Sequence, residues 1–398
     1  MAKIDELLQE LCPEGVEYVE LGQVCDIKGR IGFRGYTRND IVYKGSGAIS
    51  LSPSNITNGM LYFENSTYIS WEKYEESPEI IASEGQIVLT KTGSVGKVAL
   101  IKYLPEPCTI NPQLVLISCT SCNSAFLSYV LQSFSTQNEI KRLASIGTIP
   151  NISQRLLGKI IVPLPPLPIQ QHIVEVLDTF TDAISNLEEE LALREKQFEY
   201  YREQLLAFDD DETSLGKKLY QDEFDYVALD SILDYEQPSK YIVKNKQYNY
   251  LYSIPVLTAG KSFLLGYTDE VDGIYEASKV KPTIIFDDFT TSFHWVDFPC
   301  KVKSSALKFI RPKNNDNVSF RYVYYQMCNI NFVAKEHARH WISVYSKFEI
   351  PLPSLATQQH IVEILDTFEA MIANIKEEIA LRTKQYEYYR EKLLSFGN

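Results

Sequence analysis

The feature that most constrains this chain is an internal duplication. Residues 163–208 (PLPPLPIQQHIVEVLDTFTDAISNLEEELALREKQFEYYREQLLAF) recur as 351–396 (PLPSLATQQHIVEILDTFEAMIANIKEEIALRTKQYEYYREKLLSF), and about 31 of the 46 positions are identical without a gap. Two copies this close must fold alike and do one job twice. Apolar residues in the first copy (Ile173, Leu177, Phe180, Ile184, Leu187, Leu191, Phe198, Tyr201, Leu205, Phe208) step by four and three, the spacing of a heptad seam. The second copy repeats the seam with Ile361, Leu365, Phe368, Ile372, Ile375, Ile379, Tyr386, Tyr389, Leu393 and Phe396; Arg194 and Arg382 interrupt both at the same place. A helix of about 39 residues is about 58 Å long at about 1.5 Å per residue, a spacer rather than a core element. The prolines from Pro163 to Pro168 and from Pro351 to Pro353 are read as non-helical and as setting where each helix begins. A lone heptad of this length is most simply a homodimeric coiled coil. Two copies in one chain pair most simply with each other, in pseudo-two-fold fashion.

Each helical copy follows a globular stretch, and the two stretches begin and end alike. Val16-Glu-Tyr18-Val19-Glu-Leu21 answers Phe224-Asp-Tyr226-Val227-Ala-Leu229, and Pro150-Asn-Ile152-Ser153 answers His340-Trp-Ile342-Ser343. Between these ends the sequences diverge, and both are rich in short β-branched and aromatic runs such as 86–90, 97–101, 283–286 and 306–310, which read as strands. With 45% hydrophobic and 12% aromatic residues, the chain can bury more than one core. The expected fold is α+β: two mixed, strand-rich domains at 1–162 and 213–350, alternating with two long antiparallel helices, an intramolecular coiled coil, at 163–212 and 351–398. Seven cysteines at irregular spacing read as free thiols. The lack of a long apolar run points to a cytoplasmic protein without a membrane segment.

The constant helices joined to variable globules bring the chain close to one family. The junction Gly147-Thr-Ile-Pro-Asn-Ile-Ser-Gln154, the Val-Pro-Leu-Pro and Ile-Pro-Leu-Pro approaches, and QQHIVEVLD or QQHIVEILD resemble the specificity subunits of Type I restriction-modification systems over the whole chain. The resemblance implies two target-recognition domains, each reading one half of a bipartite site in double-stranded DNA, with the helices setting the distance between halves. It implies as partners two modification subunits that methylate adenine with S-adenosylmethionine, and restriction subunits that use ATP and Mg. No cofactor, metal or catalytic residue is then expected in this chain. The alternative is a coiled-coil adaptor that holds two proteins apart.

The net charge of −13 is unusual for a chain that must face phosphates. About −10 of it falls in 163–212, and both globular regions are nearly neutral, so either can carry a basic face. One such face is KGRIGFRGYTRNDIVYK (28–44), where Lys28, Arg30, Arg34, Tyr36, Arg38 and Lys44 stand among glycines with Asp40 the one acid. Arginine pairs with guanine in the major groove, and glycine permits close backbone approach. A second is the turn KTGSVGK (91–97), with Lys91, Thr92, Ser94 and Lys97, whose donors can grip phosphate. It is not a nucleotide P-loop, because two residues rather than four precede the Gly-Lys pair and Val98 follows it. Asn111-Pro-Gln-Leu114 lacks the aromatic residue that an adenine methyltransferase needs. In the second domain the DNA-binding candidates are Lys261, then Thr290, Thr291 and His294, then His337, Arg339 and His340, in strings that mix hydrogen-bonding groups with aromatics such as Trp341. Asp287 with Asp288, or His337 with His340 one helical turn apart, are metal ligands only on a weaker reading, and Cys119-Thr-Ser-Cys122 lacks a second pair. His172 and His360 are read as capping or partner contacts, and the acidic runs 188–190 and 209–212 as a solvated face and a linker.

Overall fold

The computed structural model describes residues 2–30, 35–145, 147, 149–208, 215–220, 223–260, 262–313, 316–334 and 338–396. It divides into two compact units, 1–188 with 377–398, and 189–376. The two long helices span Leu167–Leu206 and Leu355–Leu394, 40 residues each. Pro168 therefore lies inside the first turn of its helix rather than before it. A proline is harmless there, since the first N–H groups of a helix have no intrahelical partner. No helix among the described residues is long and apolar enough to cross a membrane.

The predicted seam is the packed one. In the first unit, Ile173 and Leu177 are buried with Tyr386, Leu393 and Leu394, and Phe180 stacks on Tyr389 with ring centroids 5.2 Å apart. In the second unit, Ile361 and Leu365 are buried with Leu205, Leu206 and Phe208, Tyr201 stacks on Phe368 at 5.4 Å, and Lys376 pairs with Glu195 at 2.8 Å. Moving back along one helix moves forward along the other, so the pairing is antiparallel. Phe180 and Phe368 are the same position of the repeat, as are Tyr201 and Tyr389. The aromatic stack and the apolar contacts of one unit are thus made again by the duplicate residues in the other, while the Lys376–Glu195 pair is not, its duplicate positions being Glu188 and Thr383.

The diverged globular regions share one topology. In the first, an antiparallel sheet runs in the order Cys25–Lys28, Leu114–Cys119, Ile87–Thr90, Val98–Leu100; in the second, the order Leu233–Glu236, Leu307–Pro312, Thr283–Asp287, Phe293–Val296 is the same. A second sheet places Gly47–Leu51 between Cys108–Ile110, to which it is parallel, and Thr67–Ser70, with Ile41–Val42 at the edge. Its counterpart places Ile254–Leu257 between the parallel Lys301–Val302 and Leu264–Thr268. The matching openings pair with the approach to each long helix: Tyr18–Glu20 lies against Ile161–Pro163, and Asp225–Ala228 against Glu349–Leu352. This closing ribbon delivers the chain into each long helix.

Two side chains of the repeat fasten that helix to its domain. Gln170 is buried; its Oε1 accepts from the Asn123 amide (2.8 Å) and its Nε2 donates to the Pro165 carbonyl (2.7 Å). Gln358 does the same with the Ser319 amide (2.8 Å) and the Pro353 carbonyl (2.8 Å), and donates also to Asn317 (3.0 Å). Asn123 and Ser319 are the N-caps of the equivalent domain helices Ser124–Gln132 and Phe320–Asn329. A few residues on, the Tyr129 hydroxyl donates to Asp178 and the Tyr325 hydroxyl to Asp366, both at 2.6 Å. A buried donor or acceptor that loses its partner costs about 1–3 kcal/mol. Gln358→Ala is expected to lower unfolding stability in urea by about that amount, and Gln359→Ala, on the exposed side, by less than about 0.5 kcal/mol. Equal losses at the two positions would remove the clip from this account.

Candidate nucleic-acid interface

The basic strip of the first domain leaves the strand Cys25–Lys28 and is anchored before it reaches solvent. Arg30 is 7% exposed, its Nε donates to the Ile110 carbonyl at 2.9 Å, and its guanidinium lies 5.9 Å from the Tyr36 ring. Burial lowers its pKa, against the opposing pull of Tyr36, Glu76 and Glu79. As placed, Arg30 braces the strip against the sheet. Arg34 lies outside the described residues. Arg38 begins a short 3-10 turn, Arg38–Asp40, capped by Thr37, whose hydroxyl accepts from the Asn39 amide. Arg38, Lys44 and Lys28 are exposed, Tyr36 is half-buried, and Tyr43 stands almost free in solvent.

The turn at 91–97 is held by the duplicated closing string. The Gly93 amide donates to Pro150 (2.9 Å), the Ile152 amide donates to Lys91 (2.9 Å), and the Thr92 hydroxyl donates to Asn151 (2.7 Å). Gly93 and Gly96 have φ of 81° and 96°, the left-handed region that glycine tolerates. The backbone donors of Lys91, Thr92, Gly93, Val95 and Gly96 are all spent on protein carbonyls, so the turn offers no cradle of free amides. Lys97, although exposed, gives its ammonium to the carbonyls of Pro53 (3.0 Å) and Ile56 (3.1 Å). Ser94 is exposed at the tip, and burial lowers the pKa of half-buried Lys91. Strip and turn meet at the exposed Pro112 and Gln113: a Cβ on Gly35 would lie 3.9 Å from Pro112, and one on Gly93 3.5 Å from Gln113.

The second-domain strings sort differently. Lys261 and His337 lie outside the described residues. Asp287 Oδ1 accepts from the amides of Phe289 and Thr290, closing a turn in which Thr290 is exposed and Thr291 is 7% exposed with φ of 58°. Asp288 is buried against Lys308 (2.9 Å), also buried, and accepts the amides of Trp341 (2.8 Å, side chain) and His340 (2.8 Å, carbonyl). Trp341 does not face a ligand; it is buried and stacked on Tyr345. His340 is 7% exposed and lies outside any helix, just before the turn at 341–344, and its candidate partner His337 lies outside the described residues. Arg339 is exposed, 3.8 Å from Asp288 and over the Phe289 ring. It joins Thr290 and Thr291 at one turn, whereas half-buried His294 lies apart, 3.3 Å from the Gly260 carbonyl and against the Phe263 ring. His172 approaches Glu175 (3.5 Å), and His360 the Tyr220 hydroxyl (3.1 Å). Cys119 pairs with Cys25 across the sheet; its contact with Cys122 pulls its pKa below the usual thiol value.

No motif singles out two further exposed sets: Tyr250 with Leu251 in the second domain, and, on the long helices, Leu193 with Tyr200 and Leu381 with Tyr388. The last four occupy duplicate positions of the repeat, a coincidence visible only when exposure is laid over it.

Residues 13–194, and again 221–381, match the family described as Type I restriction modification DNA specificity domain. The chain belongs to this family. Each match to the specificity domain takes in one globular region and much of the helix that follows it. A Type I restriction enzyme specificity subunit of Escherichia coli is 50% identical over 191 residues, 46% of this chain and 47% of that protein, so the matched stretch spans about half the length of that relative. A putative type I specificity subunit of Mycoplasma pneumoniae is 24% identical over 388 residues, 95% of this chain and 97% of that one. The solved S subunit of a Type I restriction-modification system from M. genitalium has the same fold, with a TM-score of 0.60 at 16% identity over 95% of this chain and 96% of that one. So does a chain from a study of complex assembly in the type I R-M system, with a TM-score of 0.52 at 17% identity over 96% and 97%.

The Asp288–Lys308 pair tests how much of this region is scaffold. Removing one partner of a buried pair costs about 3–5 kcal/mol, while replacing both by apolar residues of similar volume is often neutral. Asp288→Ala should lose about that much stability in urea, and Asp288→Leu with Lys308→Met should recover part of it, the Trp341 amide staying unpaired at a cost of about 1–3 kcal/mol; equal stability of wild type and Asp288→Ala would mean that the pair is not structural.

Proposed function

We propose that this chain is the DNA-reading, non-catalytic subunit of a Type I restriction-modification complex. Each domain reads one half of a bipartite site, the paired helices set the gap between halves, and S-adenosylmethionine, ATP and Mg belong to the modification and restriction subunits. The observation that carries this reading is the pairing of constancy with divergence: one topology is used twice, the same helix is used twice, and the surface sequences of the two domains differ. Shared geometry with different surfaces suits the reading of two different half-sites, since base contacts specify while the scaffold positions.

The exposed Leu193 and Tyr200, repeated as Leu381 and Tyr388, support docking of the same partner in two copies, as a pair of modification subunits requires. Isolated exposed apolar residues are ordinary; the same two at duplicate positions are less so. A coiled-coil adaptor accounts for the helices but not for the exposed cations Lys28, Arg38 and Lys44 beside Tyr43.

The test is to express the chain with its modification subunit in a host free of such systems and map adenine methylation across the genome. A two-part motif is expected. Assembly of the complex without any motif would transfer support to the adaptor. Inserting four residues at equivalent points of both helices adds about 6 Å, close to two base-pair steps of about 3.4 Å. The gap should change by one or two base pairs while both half-sites persist, and an unchanged gap would end the spacer role.

A further inference from the structure

The shared topology locates a surface in the second domain that none of the motif strings touches. In the first domain, most of the basic strip lies in residues 29–46, which join Cys25–Lys28 to the strand Gly47–Leu51 and include the short edge strand Ile41–Val42. The corresponding connection in the second domain, between Leu233–Glu236 and Ile254–Leu257, is 237–253, QPSKYIVKNKQYNYLYS. We propose that this connection, through Lys240, Lys244, Lys246, Tyr250 and Leu251, is the second domain's DNA-contacting strip.

Charge supports the assignment. In a chain of net charge −13, this stretch holds three lysines and no acid. All three are exposed, and none makes an ion pair among the described residues, which leaves them available to phosphate. Tyr250 and Leu251 are 86% and 90% exposed, as Tyr43 is 91% exposed in the first strip. Aromatic and apolar side chains beside cations are what contacts to base faces and minor-groove steps use.

The backbone beneath these side chains is fixed. Glu270 accepts the amides of Lys244 (2.8 Å) and Asn245 (2.7 Å) and pairs with Lys301 at 3.0 Å. Lys301 is buried and donates to the carbonyls of Asp272 (2.6 Å) and Gly273 (3.1 Å). The Asn249 amide donates to Tyr267 (3.0 Å), and Tyr248 packs so closely over Gly266 that a Cβ there would lie 2.6 Å from it. A solvated loop needs no such anchoring; a displayed recognition strip gains from it, because less ordering is left for binding. The rival residues are less available, since Thr291 and His340 are buried and Arg339 leans on Asp288.

The inference rests on the DNA-reading function proposed above, and the experiment separates the two. The full chain, assembled with its modification subunits, is titrated with a duplex carrying the motif mapped for the wild-type complex. Lys240→Ala with Lys244→Ala and Lys246→Ala should weaken binding tenfold or more at about 0.15 M salt, and lower the slope of log affinity against log salt by about 2–3, at about 0.9 per phosphate contact. Tyr250→Ser with Leu251→Ser should relax one half of the methylated motif and leave that slope in place. Arg38→Ala with Lys44→Ala should relax the other half. Melting temperature and retention of the unaffected half-site report that each variant is folded and assembled. An unchanged slope and motif in the 237–253 variants, or relaxation of that half by Thr290→Ala, His294→Ala and Arg339→Ala instead, overturns the assignment while the function stands. Failure of the wild-type complex to show any motif overturns both.

Discussion

A buried glutamine in the first turn of each long helix ties the rest of the structure together. Gln170 and Gln358 each join three things: the proline turn that precedes the helix, the helix itself, and the N-cap of the domain helix that packs against it. Without that clip, the direction in which a long helix leaves its domain would rest on apolar packing and on the less buried bonds to Asp178 and Asp366, and a contact of Ile, Leu and Phe tolerates small slides and rotations. A fully satisfied buried polar group does not. The neighbouring Tyr129–Asp178 and Tyr325–Asp366 bonds extend the same fastening by another turn.

The helices were the most legible part of the chain, because a period of 3.5 residues in apolar side chains has one physical meaning and the duplication gave an independent check. The clip was harder to see. A glutamine pair at the start of a helix reads as solvated polarity, and nothing but its identity in both copies hints that Gln170 and Gln358 are interior while Gln171 and Gln359 face out. The common topology of the two domains left almost no trace in sequence. Strand order depends on which edges meet, and recognisable residues were kept in the ribbons, where backbone pairs with backbone next to the duplicated helix, and in the strings 150–153 and 340–343.

Candidate contact residues divided according to whether their neighbours could be read. In the first domain the glycine-rich basic strip is where the cations are, although Arg30 is used for bracing and Lys97 for holding carbonyls. In the second, polar and aromatic strings drew attention to the interior: Asp288 and Lys308 neutralise each other out of water, and Trp341 belongs to a core of stacked rings. Composition does not tell a buried lysine such as Lys301 from an exposed one such as Lys246; that depends on carbonyls and carboxylates brought in from elsewhere in the chain.

The first unit is built from two separate pieces of chain, 1–188 and 377–398, whereas the second is the unbroken run 189–376. Tyr386, Leu393 and Leu394 lie in the first unit's core with Ile173 and Leu177. On a ribosome, domains generally fold as their residues emerge, N-terminal first. Here the order of completion is reversed: the second unit has all its residues before the first does, and the first lacks Tyr386, Leu393 and Leu394 beside Ile173 and Leu177 until residues 377–398 are made. A chain cut before residue 377 would therefore damage the domain farthest from the cut in sequence.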